Sequence, residues 1–249
     1  MGYVIAIAGK GGTGKTTIAA LLVRIMKEKQ LGSLLAIDAD PNSNLGELLG
    51  VETKQTIGSI LDEIAAHPEK VPPDVSKDRF LEYQVMTALS EEDGFDLLTM
   101  GRPEGPGCYC YVNNVLRGIM GKLVSDYKYV IIDNEAGLEH FSRRTTRSAD
   151  ALVIISDASI VGLKSAQRMF DLVGELKIPV KKSFLVINRC LGQFEEEKIK
   201  NLGLTFLGDI PQDKKIEQMS LNGNNIMQLD TDALSLASLR KIGDKIWQN

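Results

Sequence analysis

A glycine-rich segment near the start of the chain has the residue types and spacing of a phosphate-binding loop. Residues Gly9–Thr16 read GKGGTGKT and fit the pattern G-x-x-x-x-G-K-[ST]. They lie between an apolar run typical of a strand and a pattern typical of a helix, which is the context this motif requires. The backbone amides of such a loop surround phosphate groups, while Lys15 would reach the β- and γ-phosphate oxygens and Thr16 would ligate Mg²⁺. The segment predicts a nucleoside triphosphate site.

Acidic side chains stand at the ends of two other apolar runs. Asp38 and Asp40 end the run that begins at Ser33, and Asp133 ends the run that begins at Tyr129. Because ligands of parallel α/β sheets bind at the carboxyl ends of the strands, we expect these acids to face the glycine-rich loop. Carboxylates at that place fit metal and water chemistry, although an acid that follows a strand also serves as a helix N-cap.

Cys108 and Cys110 are separated by one residue, on a segment that begins at Gly101 and is rich in glycine and proline. Thiolates suit soft or borderline metal ions. One such pair supplies two sulfurs, whereas two chains related by a two-fold axis supply four, enough for tetrahedral Zn²⁺ or square-planar Ni²⁺. A pair of buried or regulatory thiols is the alternative. The pattern favours a metal site shared between two subunits.

A second lysine in the glycine-rich loop, Lys10, resembles the loop of the deviant Walker A ATPases, which include MinD, ParA, the nitrogenase iron protein and Mrp-type cluster carriers. The resemblance implies that Lys10 reaches the nucleotide of a partner subunit, so that ATP holds a homodimer together. It also implies that Asp38 holds a Mg²⁺-bound water, that Asp40 orients the attacking water, and that Asp133 is the Walker B acid. A solvated loop lysine is the alternative for Lys10.

The same resemblance implies a purine site. Asn188 follows the apolar run that begins at Phe184, where the group uses an asparagine to bind the base, and Ile210–Gln212 resembles the second base-lining loop. Adenine is favoured, because Asn188 does not begin a guanine-reading N-K-x-D motif. The predicted catalytic residues are Lys10, Lys15 and Asp40, and the predicted magnesium ligands are Thr16, Asp38 and Asp133. The predicted nucleotide-binding residues are Gly11, Gly12, Thr13, Gly14, Lys15, Thr16, Thr17, Asn188, Arg189, Pro211 and Gln212.

Three segments together resemble a narrower family, the nickel-insertion ATPases of carbon monoxide dehydrogenase and acetyl-CoA synthase. They are Gly101–Cys110, Asn113-Asn114, and Asp133–Gly137 with the following Glu139-His140. The resemblance extends over essentially the whole chain. It implies an ATP-dependent nickel chaperone, a homodimer that depends on nucleotide and metal, with Ni²⁺ or Zn²⁺ at the cysteines. It further implies that carbon monoxide dehydrogenase or acetyl-CoA synthase is the client enzyme.

Two other functions fit parts of the pattern. A Mrp-type carrier of iron–sulfur clusters is also an ATPase, but such carriers generally use a C-x-x-C pair late in the chain. A positioning ATPase of the MinD or ParA kind would bind membrane or DNA, and Leu234–Ile242 has the spacing of an amphipathic helix. That segment carries few cations, so we expect it to pack in the core.

Composition limits the class of protein. The chain has 249 residues, of which 43% are hydrophobic, which is enough for one sizeable core over residues 1–249. Its net charge of −4 provides no overall basic field for nucleic acid or an anionic membrane. Three cysteines are too few for a disulfide framework and suit a reducing cytoplasm. We expect a cytoplasmic protein with neither nucleic acid nor membrane as a partner.

The elements that must position these residues follow from hydrophobic patterning. Apolar runs alternate with helical patterns, which predicts a doubly wound α/β fold with a mostly parallel sheet covered on both faces. For residues from about 51 to 93 we predict an irregular helical insertion. The predicted strands are Tyr3–Ala8, Ser33–Asp38, Phe95–Met100, Tyr129–Asp133, Ala151–Ser156, Phe184–Asn188 and Thr205–Leu207. The predicted helices are Lys15–Lys29, Asn114–Ser125, Ile160–Leu176, Phe194–Lys200 and Thr231–Ile246.

Overall fold

The computed structural model describes residues 2–102, 110–135, 148–192, 194–200 and 202–247. Its strands are β1 (Tyr3–Gly9), β2 (Leu34–Asp38), β3 (Ser90–Glu92), β4 (Phe95–Thr99), β5 (Tyr129–Asp133), β6 (Ala149–Ser156), β7 (Val180–Cys190) and β8 (Thr205–Pro211). Across these residues they form one sheet in the order β3-β4-β2-β5-β1-β6-β7-β8. Every neighbouring pair is parallel except β3 with β4. The predicted doubly wound, mostly parallel α/β fold is confirmed.

Helices connect these strands and cover the sheet. They are α1 (Lys15–Glu28), α2 (Leu45–Leu49), α3 (Ile57–Ala66), α4 (Lys77–Thr87), α5 (Cys110–Asp126), α6 (Ile160–Glu175), α7 (Lys214–Leu221) and α8 (Leu234–Trp247). Short 3₁₀ turns occur at Pro68–Lys70, Glu196–Ile199 and Ile226–Gln228. Within the described ranges, none of the helices has both the length and the apolar character needed to cross a bilayer.

The sheet separates two hydrophobic cores because side chains alternate between its faces along each strand. On β1, Val4, Ala6 and Ala8 pack in one core, whereas Ile5 and Ile7 pack in the other. Buried residues of α3, α4, α5 and α6 complete the first core, and those of α1, α2, α7 and α8 complete the second. Strands buried on both faces explain why the sequence has continuous apolar runs.

The segment 51–93 and the C-terminal helix both contribute to these cores. Ile57 and Ile60 of α3 and Val85 of α4 pack in the same core as β5, so the helical insertion is integrated with the sheet. Leu236 and Leu239 of α8 are fully buried in the other core. The prediction that the C-terminal segment packs in the core is confirmed.

Each of the seven predicted strands is present, and β7 and β8 extend furthest beyond the predicted bounds. One helix prediction is wrong: Phe194–Lys200 holds only the 3₁₀ turn Glu196–Ile199. The backbone of Glu195 is extended, with φ −86° and ψ 102°, so a helix cannot run on from Phe194. The sequence analysis also missed β3, α2 and α7, which are short elements of three, five and eight residues.

Candidate functional site

The glycine-rich loop connects β1 at Gly9 with α1 at Lys15, at the carboxyl edge of the sheet. Gly9 has φ 155°, and a Cβ there would lie 2.4 Å from the carbonyl oxygen of Ile155 on the neighbouring β6. Gly14 has φ 92°, and its Cβ would lie 2.4 Å from Nδ2 of Asn188. Both positions therefore require glycine, because a side chain would meet left-handed strain and a close neighbour.

The amino end of α1 differs from that of α3, α4 and α6. Gly14 at its N-cap has no side chain, and the first turn contains no acidic residue. By contrast, hydroxyls of Thr56, Ser76 and Ser159 accept hydrogen bonds from first-turn amides of α3, α4 and α6. The α1 amides are thus left for a ligand, and the helix dipole favours an anionic one such as phosphate.

The two lysines of the loop occupy different environments. Lys15 is only 7% exposed and its positive charge lies close enough to Asp133 to favour the charged form of that acid. Lys10 is exposed, as are Gly11 and Gly12 beside it. Lys15 is therefore placed within the site of its own chain, whereas Lys10 faces outward, where a second protomer would have access to it.

The predicted magnesium ligands come together at the ends of adjacent strands. Asp38 ends β2 and Asp133 ends β5, and the two residues are direct partners in the parallel register. Both side chains are 0% exposed. Oxygens of Asp38 accept from the backbone N–H groups of Asp40 at 3.1 Å and Leu45 at 2.8 Å, so Asp38 also fixes the loop that leads into α2.

Asp133 has an unusual electrostatic environment. Burial raises its pKa to about 7, and the charges of Asp38 and Asp40 act in the same direction. The hydroxyl of Thr16 and the charge of Lys15 oppose this rise. Although the Thr16 hydroxyl lies near Asp133, neither Asp133 oxygen has a partner at hydrogen-bond geometry among the described residues. Burial likewise raises the pKa of Asp38 to about 6, although its two backbone hydrogen bonds oppose the rise.

A buried carboxylate that lacks hydrogen-bond partners among the described residues needs either a proton or a cation to offset its desolvation. Across the residues that the structure describes, no group of three or more His, Cys, Asp or Glu side chains is arranged to hold a metal ion alone. Mg²⁺ fits this arrangement, since it is commonly bound by one or two carboxylates together with a hydroxyl, water and nucleotide phosphates. Thr16, Asp38 and Asp133 are therefore suited to hold Mg²⁺ when phosphates are present.

Asp40 lies on the loop between β2 and α2 and is partly buried. Its Oδ1 accepts from both the backbone N–H and the side-chain amide of Asn42, each at 2.9 Å. Its negative charge also contributes to the raised pKa of Asp133. The structure therefore brings Asp40 near the predicted magnesium ligands on a loop held by hydrogen bonds.

The predicted purine residues converge at the ends of β7 and β8. The buried side chain of Asn188 donates from Nδ2 to the Thr13 carbonyl at 2.8 Å, and Arg189 donates from Nη1 to the Gly12 carbonyl at 3.1 Å. Cys190 is paired with Pro211 across the strands, and the Gln212 amide donates to the Cys190 carbonyl at 3.2 Å. Thr17 is partly buried in the first turn of α1.

Asn134 was given no role in the sequence analysis, yet it is fully buried beside the site. Its Nδ2 donates to the carbonyls of Ile7 at 2.9 Å and Ile132 at 3.3 Å, which ties the end of β5 to β1. Its position directly after Asp133 was the available signal. The contact itself depends on which strand lies beside β5, which the local pattern does not specify.

The predicted nickel or zinc site falls largely outside the described residues. Cys108 is outside them, and Cys110 is described by its backbone alone, as the first residue of α5. Residues 136–147, including His140, are also outside them.

Comparison with known proteins agrees with this geometry. The chain is 42% identical to an uncharacterized ATP-binding protein of Methanocaldococcus jannaschii, with 98% of each chain covered. It is 29% identical to the carbon monoxide dehydrogenase accessory protein CooC of Rhodospirillum rubrum, covering 96% of this chain and 97% of that one. Its fold is similar to that of the septum site-determining protein MinD of Pyrococcus horikoshii in complex with Mg-ADP, with a TM-score of 0.72, 19% identity, and coverage of 100% and 97%. The family model of the CobQ/CobB/MinD/ParA nucleotide binding domain matches residues 4–226. The chain therefore belongs to the CobQ/CobB/MinD/ParA family of nucleotide-binding domains.

Proposed function

We propose that this chain is a Mg²⁺-dependent ATPase, with the whole of residues 1–249 acting as one unit. The observation that carries the proposal is the buried carboxylate of Asp133, which has no hydrogen-bond partner among the described residues and lies beside Thr16, Asp38 and Lys15. In this proposal Lys15 and the amides from Gly11 to Thr17 bind the phosphates. Thr16, Asp38 and Asp133 hold Mg²⁺, which neutralises charge on the β- and γ-phosphates when bound.

The residues that act on the transferred phosphoryl group are Lys15, Lys10 and Asp40. Lys15 stabilises negative charge that develops in the transition state, and Asp40 orients the water that attacks the γ-phosphate. Asp40 is suited to this role because its loop is fixed by Asp38 and Asn42. Lys10 is exposed, so we place it across a dimer interface, against the nucleotide of the partner subunit.

Adenine is the base that we assign to the site. Asn188, Arg189, Pro211 and Gln212 lie at the ends of two adjacent strands, beside the amino end of α1. The test is steady-state hydrolysis with ATP and GTP, each with Mg²⁺ or with EDTA. We expect turnover of ATP that requires Mg²⁺ and clearly exceeds turnover of GTP. A preference for GTP, or hydrolysis unaffected by EDTA, would contradict the assignment.

We further propose that the ATPase is a nickel chaperone for carbon monoxide dehydrogenase or acetyl-CoA synthase. Support comes from the C-x-C pair Cys108 and Cys110, and from the similarity along the whole chain to a carbon monoxide dehydrogenase accessory protein. Two protomers would bind one Ni²⁺, or Zn²⁺, through four thiolates. ATP and metal would both promote this homodimer, which we place in the cytoplasm, without membrane or nucleic acid as a partner.

Metal analysis of protein purified without oxygen separates this proposal from its alternatives. A nickel chaperone is expected to retain nickel or zinc and to show thiolate-to-nickel charge-transfer absorption. The absorption should disappear in Cys108→Ser and in Cys110→Ser, with Cys190→Ser as the matched control because that thiol is buried beside β8. Iron with sulfide would indicate a cluster carrier instead. A metal-free protein that sediments with vesicles or DNA only with ATP would indicate a positioning ATPase.

A further inference from the structure

Four backbone carbonyls of the glycine-rich loop, those of Lys10, Gly12, Thr13 and Gly14, accept hydrogen bonds from donors of the protein. The Lys10 carbonyl accepts from the Thr13 hydroxyl at 2.8 Å, and the Gly14 carbonyl accepts from the Ile18 amide at 3.0 Å. A loop whose amides surround phosphates must turn its carbonyl oxygens elsewhere, because a carbonyl dipole repels an anion. These two carbonyls are thus occupied by donors of the loop and of the first turn of α1.

The other two carbonyls depend on β7. Thr13 is held by the amide of Asn188, and Gly12 by the guanidinium of Arg189. The hydrogen bonds join the base side of the site to the phosphate side. Asn188 is also assigned to the purine. A substitution there would therefore alter both base binding and the hydrogen bond to the Thr13 carbonyl. Arg189 is the better residue to examine, because its side chain is exposed and, among the described residues, it donates its hydrogen bond to the loop backbone.

Arg189 has a backbone conformation that directs its side chain towards the loop. Its φ of 54° is left-handed, which is uncommon for a residue with a Cβ and costs about 1 kcal/mol. The register between β7 and β8 shifts between Ile187 and Cys190, so Arg189 lies in a bulge. Bulges redirect a side chain out of the regular strand pattern. Strained residues of this kind tend to cluster at functional sites.

We propose that Arg189 is a positioning residue that holds the Gly12 carbonyl away from the nucleotide, so that the loop amides stay directed at the phosphates. Arg189 therefore acts on phosphate affinity through the loop backbone, and this role replaces the contact with the adenine base that its position beside Asn188 suggests. This inference deepens the proposed ATP site and rests on it. It requires nucleotide binding but does not require hydrolysis.

The test compares a ligand that has a base with one that does not. Binding of Mg-ATP and of Mg²⁺ with inorganic tripolyphosphate is measured by calorimetry on wild type and on Arg189→Ala. We expect both affinities to fall by a similar factor of about tenfold, the size associated with one charge-assisted hydrogen bond. Arg189→Lys should recover much of the loss, because it keeps a charged donor. Arg240→Ala is the matched control, since Arg240 also donates to a backbone carbonyl, that of Thr231, and its ion pair is with Glu28, at the end of α1 opposite the glycine-rich loop.

Several results would overturn the inference. A loss for ATP without a loss for tripolyphosphate would make Arg189 a base contact, and unchanged affinity for both would make its bond to Gly12 irrelevant. A loss that disappears in about 0.5 M KCl, where the Debye length is about 4 Å, would show long-range charge attraction and not positioning. The two proposals also fail differently. A wild-type chain that does not bind Mg-ATP overturns the proposed function and this inference together, whereas normal wild-type binding with unequal losses overturns this inference alone.

Discussion

Replacing Asp133 with asparagine is expected to stabilise the metal-free protein, because the wild-type carboxylate is buried without a hydrogen-bond partner among the described residues. Its pKa is about 7 in the folded protein, against an ordinary value of 3.8. The folded state therefore binds this proton more tightly than the unfolded state does. The associated stability is present in full at pH values below the ordinary pKa and is lost as pH rises through the folded pKa.

The size of the effect follows from the same two pKa values. A difference of about three units corresponds to about 4 kcal/mol between the fully protonated and fully ionised limits. By the same relation, ionisation of Asp133 lowers the free energy of unfolding by about 1.7 kcal/mol at pH 5 and by about 4.3 kcal/mol at pH 8. Asparagine cannot ionise, so the free energy of unfolding of Asp133→Asn relative to wild type should rise by about 2.5 kcal/mol between these pH values. Any constant contribution of the new amide cancels in that comparison.

The assay is urea unfolding in EDTA at pH 5, 6, 7 and 8, followed by circular dichroism. Asp93→Asn is the matched control because Asp93 is almost fully exposed, and it should change the unfolding free energy by less than about 0.5 kcal/mol at every pH. Saturating Mg-ATP should stabilise wild type more than Asp133→Asn, which lacks the metal ligand. The raised pKa of Asp133 would be contradicted if the free energy of unfolding of Asp133→Asn relative to wild type did not depend on pH. A relative free energy that falls as pH rises would contradict it as well.

The other expectations concern the phosphate site. Lys15→Ala should lower ATP turnover by about a hundredfold or more, because a buried cation directed at the phosphates is lost; turnover within a few-fold of wild type in a phosphate-release assay would contradict this role. Lys10→Ala should keep nucleotide binding by the monomer but lose ATP-dependent dimerisation and hydrolysis, and normal dimerisation by light scattering would leave Lys10 a solvated loop residue. Asp40→Asn should slow single-turnover hydrolysis by about a hundredfold with ATP affinity nearly unchanged; the reverse pattern would assign Asp40 to binding.

Elements with a strong pattern were predictable from the sequence. The apolar run from Tyr3, the glycine-rich loop and the helix after it combine a specific motif with clear periodicity, and the structure has the strand, loop and helix in those places. Acids that follow buried runs predicted that Asp38 and Asp133 would share one sheet edge, because parallel strands end together. These inferences needed local pattern and strand direction only.

What could not be predicted depends on contacts between distant segments. The bonds from Asn188 and Arg189 to the loop arise because a bulge near the end of β7 redirects a side chain. The capping of Leu45 by Asp38 depends on the path of a loop that has no periodicity. The helix predicted over Phe194–Lys200 was wrong because the backbone of Glu195 is extended, which the apolar pattern of the segment does not reveal. The cysteine pair stays a prediction, because Cys108 lies outside the described residues and Cys110 is described by its backbone alone.

The proposed nickel site shared between two subunits is tested most directly by the ratio of metal to protein in an anaerobic nickel titration, with molecular mass measured in the same samples. We expect one Ni²⁺ per dimer and conversion of monomer to dimer as nickel is added. The Cys108→Ser/Cys110→Ser variant should lose both nickel binding and nickel-dependent dimerisation. Binding should weaken towards pH 6, since thiols with an ordinary pKa of about 8.5 must lose protons to bind the metal. One Ni²⁺ per monomer, or tight nickel binding by the double variant, would contradict the shared site.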